Sequence, residues 1–199
     1  MSKGRLLVIS GASGVGKSTV LKHVLDSREN ITFSVSATTR APREGEVDGV
    51  HYHFLSVEEF RAMIAEDALL EHAEYAGNYY GTPKRYVDEA MDAGRDVILE
   101  IEMQGARQVC AKRPETIRIF IAPPSWEELE RRLVTRGTDA PEKIAQRLRQ
   151  ARVELENAGE YDYMVVNETV EKAAEEVAAI LRAEHCRVDD ERLEKILKK

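Results

Sequence analysis

Cysteine is scarce: Cys110 and Cys186 are the only two among 199 residues, and they lie far apart without Cys-x-x-Cys spacing. That excludes a disulfide framework and fits a reducing compartment. Long apolar runs are missing as well. Stretches such as Leu6 to Ile9 fall far short of the roughly 20 residues a membrane-spanning helix needs, and no apolar stretch with a cleavage site follows Met1. The expectation is a soluble, cytoplasmic protein. Positive charge is not in excess either. A net charge of −7 makes the surface as a whole repel nucleic acid and anionic lipid, so neither is an expected partner, although local arginine clusters can still hold a phosphate. No internal repeat or low-complexity segment occurs. The 43% hydrophobic content suits one sizeable core with small lobes, and leaves monomer or homo-oligomer open.

What is present is an alternation of buried strands and helices. Leu6-Leu7-Val8-Ile9, Asp96 to Ile101, Ile117 to Ile121 and Tyr163 to Val166 are short apolar runs separated by helical patterns. They predict an α/β fold whose parallel sheet is covered on both faces, a three-layer core. Cap signals mark helix starts at Thr82-Pro83, at Ser56 with Glu59, and at Ser125 with Glu128, while Gly94 closes a helix. Between Thr32 and Tyr80 alternating strands, such as Phe33 to Ser36 and His51 to Phe54, predict an inserted half-exposed sheet. From Glu127 to Glu160 the chain is charged and helical with a break at 136–141, which suits a mobile lid.

The segment Gly11-Ala12-Ser13-Gly14-Val15-Gly16-Lys17-Ser18, followed by Thr19, fits G-x-x-x-x-G-K-[ST] and lies between a buried strand and a helix. Glycines let backbone N–H groups converge on phosphate oxygens, and the helix adds its positive N-terminal end. Lys17 would bridge the β- and γ-phosphates of a nucleoside triphosphate, and Ser18 would ligate Mg²⁺. ATPases, GTPases and small-molecule kinases all use this loop, so the rest of the chain must name the acceptor.

The stretch from Phe33 to Glu46 places Arg40 and Arg43 beside a Gly- and Pro-containing turn. Paired guanidinium groups suit a phosphate dianion, and two solvated loop arginines are the alternative. S-x-T-T-R-x-P-R-x-G-E, then Gly49-Val50-His51-Tyr52, then Glu71 and Gly77-Asn78-Tyr79-Tyr80-Gly81-Thr82, closely resembles the guanylate kinase family nearly end to end. The resemblance implies a P-loop NTPase-type core, an inserted mixed-sheet GMP-binding lobe and a helical lid. It divides the chain into core (1–33), lobe (34–84), core (85–124), lid (125–157), and core with tail (158–199). It implies ATP and GMP as substrates and Mg²⁺ as cofactor. Ser36, Arg40, Arg43, Tyr52 and Tyr80 would hold the GMP phosphate, and Glu71 and Thr82, joined by Ser36, would read guanine. The chemistry agrees: guanine offers N1–H and its 2-amino group to a carboxylate and O6 to a hydroxyl, whereas adenine reverses the pattern. Glu71 as a solvated helix-end charge, and Tyr79 or Tyr80 as packing aromatics, stay open.

The family commonly carries Asp-x-Asp where this chain has Glu100-Ile101-Glu102. By resemblance Glu100 joins the Mg²⁺ shell through water and Glu102 meets the acceptor base or ribose; a surface charge is the alternative for either. Arg132, Arg136 and Arg147 become lid arginines, with Arg136 on the adenine plane. Asn167 helps recognise that base, or else caps the helix near Thr169. Two rival functions are a non-catalytic scaffold that binds phosphorylated partners through the GMP pocket, and a P-loop kinase for another small acceptor.

Overall fold

The computed structural model describes residues 3–26, 30–135, 140–188 and 190–197. The core begins with β1 (Leu6–Gly11), α1 (Lys17–Asp26) and β2 (Ile31–Phe33). A second sheet then runs through β3 (Ala37–Thr38), β4 (His53–Phe54), β5 (Leu69–Tyr75) and β6 (Asn78–Pro83), with α2 (Val57–Ala65) between β4 and β5. The core resumes with α3 (Lys84–Asp92), β7 (Asp96–Glu100), α4 (Met103–Lys112) and β8 (Ile117–Ala122). Helices α5 (Trp126–Thr135) and α6 (Pro141–Glu156) lead to β9 (Tyr163–Val166), α7 (Val170–Glu184) and α8 (Asp190–Leu197). Among the described residues no helix is long and apolar enough to cross a membrane.

The core sheet is parallel throughout, in the order β2-β7-β1-β8-β9. Its central strand shows why the run at residues 6–9 has no polar alternation. Leu7 and Ile9 join the apolar cluster beneath α1, α5 and α7, while Leu6 and Val8 join the cluster beneath α3 and α4. Both faces of β1 are therefore buried, each side chain contributing about 1.5–3 kcal/mol by leaving water. The C-terminal ends of these strands point to one edge, where the loops after β1 and β7 meet.

The second sheet is mixed, in the order β4-β3-β6-β5. It is smaller than expected at its start. Phe33 lies in β2 and pairs with Ile98 of the core sheet, so only Ala37 and Thr38 of that stretch enter the inserted sheet. A second shift is at Thr82-Pro83. Pro83 rather than Thr82 takes the N-cap position of α3, because Thr82 is still in β6 and its hydroxyl is committed to Glu71. The box at Ser56 and Glu59 closes in both directions. At Ser125 only half forms: Ser125 Oγ accepts the Glu128 N–H at 3.2 Å, but the Glu128 carboxylate turns to Arg131 and Arg132.

Helices α5 and α6 are not a detached flap. Leu129, Leu133 and Ala151 are buried in the main cluster, so their inner faces are rooted in the core. The expected break at 136–141, and Arg136 with it, falls largely outside the described residues.

Candidate active site

The loop between β1 and α1 is fixed by backbone geometry that only glycine tolerates well. Gly14 has φ +93°, and a Cβ there would stand 2.6 Å from Leu133 Cδ2 of α5. The Val15 N–H returns to Ala12 O at 3.0 Å, and the Thr19 and Val20 N–H groups return to Gly16 O as α1 opens. The result is a cavity of about 250 Å³ lined by every residue from Ser10 to Thr19. Glu102, Arg147, Gln150 and Glu154 line it from the opposite side.

Lys17, Ser18 and Glu100 come together at this cavity although Glu100 is 82 residues from Ser18. The Ser18 hydroxyl donates to Glu100 Oε1 at 2.7 Å, and Lys17 Nζ lies 3.9 Å from the same oxygen. Parallel pairing of β1 with β7 sets Ile9 opposite Glu100 and so delivers the carboxylate to the loop. Glu102 occupies the N-cap position of α4.

A second cavity, about 490 Å³, lies on the other side of the loop between Gly16, Thr19, Arg132, Thr135, Asn167 and Thr169. Asn167 is buried, and its Nδ2 donates to Val15 O at 2.7 Å while its backbone N–H donates to Ala122 O at 2.8 Å. Its Oδ1 is buried and has no hydrogen-bond partner among the described residues. The helix-cap alternative for this residue fails, because Thr169 is the N-cap of α7 and accepts the Lys172 N–H. Arg132 donates to Glu128 Oε1 at 2.7 Å, to Asn167 O at 3.0 Å and to Val15 O at 3.3 Å, which holds it against the loop.

The inserted sheet and its loops bring Arg40, Tyr52 and Tyr80 together. Thr38 Oγ1 donates to Tyr79 O at 3.0 Å and Thr39 Oγ1 accepts the Tyr79 N–H at 2.9 Å, so the two threonines fix the start of the arginine loop to β6. Arg40 then lies over the rings of Tyr52 and Phe54, at 5.4 and 5.8 Å from their centroids, and Tyr52 meets Tyr80 edge to face. Arg40 Nη1 and Nη2 hold the two oxygens of Glu46 at 2.9 and 2.8 Å, and Glu46 also accepts the Arg43 N–H at 2.6 Å. The Arg40 guanidinium, helped by the Arg43 N–H, brings the Glu46 carboxyl down to about 2. The Arg43 side chain is exposed, and Ser36 contributes its carbonyl to the His53 N–H at 2.8 Å. Tyr79 is the packing aromatic, stacked on Phe60 at 5.5 Å.

Glu71 is not a solvated helix-end charge: it lies in β5 and is only 7% exposed. Burial pushes its carboxyl above the ordinary value, an effect opposed by the Thr82 hydroxyl, which donates to Oε1 at 2.7 Å. The two residues are joined because β5 and β6 form an antiparallel pair.

One participant carries no sign in the sequence. Glu154 of α6 is buried and accepts the Ser13 N–H of the loop at 2.8 Å, across 141 residues, so it reads in sequence as one more charge on a polar helix. Glu46 was visible as part of the arginine motif, and the carboxylate three residues beyond Arg43 was the signal for its pairing role.

A parallel sheet with a phosphate loop after its central strand, joined to a second sheet carrying arginines and a buried carboxylate, is the architecture of one kind of nucleoside-monophosphate kinase. The family model described as guanylate kinase matches residues 3–184. Guanylate kinase of Streptococcus agalactiae is 55% identical over 188 residues, covering 94% of this chain and 90% of that protein. Guanylate kinase of Clostridium perfringens is 53% identical over 188 residues, covering 94% and 87%. The crystal structure of guanylate kinase from Anaplasma phagocytophilum aligns with TM-score 0.72 and 38% identity, covering 94% of this chain and 89% of that one. The chain belongs to the guanylate kinase family.

Proposed function

We propose that this protein transfers the γ-phosphoryl group of ATP to GMP or dGMP, giving ADP and GDP or dGDP, in guanine nucleotide synthesis and recycling. The observation that carries the choice of acceptor is the buried Glu71 bonded to Thr82. An ionised carboxylate in that position accepts N1–H and the 2-amino group of guanine together. Adenine would set its N1 lone pair against the buried charge, a mismatch worth on the order of 10⁴-fold in specificity.

Arg40 and Arg43 hold the GMP phosphate with Tyr52 and Tyr80, and Ser36 and Glu102 complete the acceptor site. Glu46 and the Ala41 carbonyl hold the terminal nitrogens of Arg40, which orients its guanidinium charge for the phosphate. The attacking oxygen belongs to an already ionised phosphate, so no strong general base is required. Charge control is the main task. Lys17 and the loop N–H groups take the charge that develops on the migrating phosphoryl group. Arg132 and Arg147 flank it. Asn167 Oδ1, a buried acceptor without a partner among the described residues, suits the 6-amino group of adenine.

A hydroxyl and a carboxylate side by side, Ser18 and Glu100, suit a hard cation that keeps most of its shell as water and substrate phosphate. That donor set fits Mg²⁺ brought in with ATP. When bound there, Mg²⁺ neutralises charge on the β- and γ-phosphates. The two free cysteines fit action in the reducing cytoplasm.

Phosphorus NMR of the protein with ATP and GMP tests the proposal. The β-phosphate signal of GDP should grow as the γ-phosphate signal of ATP falls. Release of inorganic phosphate alone would contradict it.

A further inference from the structure

Helix α4 stitches itself to β5 with three side positions, and all three bear on Glu71. Strand β5 is the edge of the inserted sheet, so one side of its backbone has no strand partner. Gln108 fills that role: its Oε1 accepts the His72 N–H at 3.1 Å and its Nε2 donates to His72 O at 3.0 Å. Lys112, one turn further, donates to Leu69 O at 2.7 Å and to Asp67 at 2.6 Å. Glu71 lies between the two residues so held. At its own level α4 presents Gly105, where a Cβ would stand 3.0 Å from Glu71 Oε2 and 3.4 Å from Cγ and Cδ. Gly105 needs no left-handed backbone, and inside a helix alanine would be the better helix former. The reason for glycine is therefore the space the carboxylate occupies.

We propose that Gly105 and Gln108 are positioning residues that set the base-reading carboxylate of Glu71 from the core helix α4. The inference rests on the reading of Glu71 as the guanine acceptor. Gly105 lets the carboxylate lie against bare helix backbone, and Gln108 fixes the height of β5 along that helix. Because α4 starts directly after Glu102, which lines the phosphate cavity, one rigid element registers the purine against the phosphate cradle. The lobe's own sheet does not do this alone: among the described residues its hold on the Glu71 carboxylate is the Thr82 hydroxyl on β6.

The test compares Gly105→Ala, Gln108→Met, Glu71→Gln and the double variants with Glu71→Gln, measuring KM for GMP, KM for ATP, GMP-over-AMP preference and melting temperature. Methionine keeps the volume of Gln108 and removes both bonds. Each single variant at 105 or 108 should raise KM for GMP on the order of tenfold and lower the preference for GMP, with KM for ATP within about twofold. Gly105→Ala should do so without loss of melting temperature. In the Glu71→Gln background neither change should add its full effect, since both act through the missing carboxylate. A drop in melting temperature with both KM values unchanged, or full additivity with Glu71→Gln, would overturn the inference and leave Glu71 as base reader. Unchanged base preference in Glu71→Gln itself would overturn the reading beneath it, and the inference with it.

Discussion

Arg40 holds both oxygens of Glu46 through its two terminal nitrogens, at 2.8 and 2.9 Å, on a platform made by the Tyr52 and Phe54 rings. The fork is thus oriented before any substrate arrives. Glu46→Ala should raise KM for GMP by about tenfold while leaving KM for ATP unchanged, because an unrestrained guanidinium must be ordered on binding. Steady-state kinetics with each substrate varied in turn checks this.

With the Glu46 carboxyl down at about 2, the acid sensitivity that the protein's own carboxylates give to GMP binding should come from Glu71, in addition to protonation of the GMP phosphate, whose second pKa is about 6. Burial raises the Glu71 carboxyl above its ordinary 4.5, so its folded value exceeds its unfolded one. The sign follows. The buried uncharged acid costs nothing extra at low pH, and the penalty for the buried charge appears as pH rises through the folded value. GMP binding needs the charged form and runs the other way. On acidification through that value kcat/KM for GMP should fall while stability rises by Glu71's share, and Glu71→Gln should remove that share from both profiles, leaving the fall due to the GMP phosphate. Paired pH profiles of rate and melting temperature measure this.

The core was legible because its chemistry is local. Apolar runs at Leu6 to Ile9 and Ile117 to Ile121 have one reading in a parallel sheet, and the phosphate loop carries its context on both sides. Errors arose where a residue's partner was remote. Phe33 looked like the start of the inserted sheet because alternation alone cannot say which sheet a strand joins; pairing with Ile98 decides it. Thr82 looked like a helix cap because a hydroxyl before proline usually is one, and Glu71, eleven residues back, claimed it instead. Gly105, Gln108 and Glu154 carry no local signature, since their partners Glu71, His72 and Ser13 are 34, 36 and 141 residues away.

Asn167→Ala should remove the shorter of the two donors to Val15 O, leaving Arg132 at 3.3 Å, and take the side chain out of the second cavity. The expected cost is about 1–3 kcal/mol of stability, together with a higher KM for ATP and an unchanged KM for GMP. Thermal unfolding and kinetics on the same preparation separate the two effects.

Gly14→Ala would place a methyl 2.6 Å from Leu133 Cδ2 at φ +93°. Stability should fall by about 1–3 kcal/mol and ATP binding with it, because the loop must shift. Lys17→Ala differs: it should keep the melting temperature and lower kcat by about 10²–10³-fold, since only transition-state charge is lost.

The most direct test is the rate of ADP formation from ATP with GMP, dGMP, AMP or UMP as acceptor, for the wild type and Glu71→Gln. Rapid turnover with GMP and dGMP, little with AMP or UMP, and a narrowed gap in the variant are predicted. Equal rates with GMP and AMP in the wild type would contradict the account.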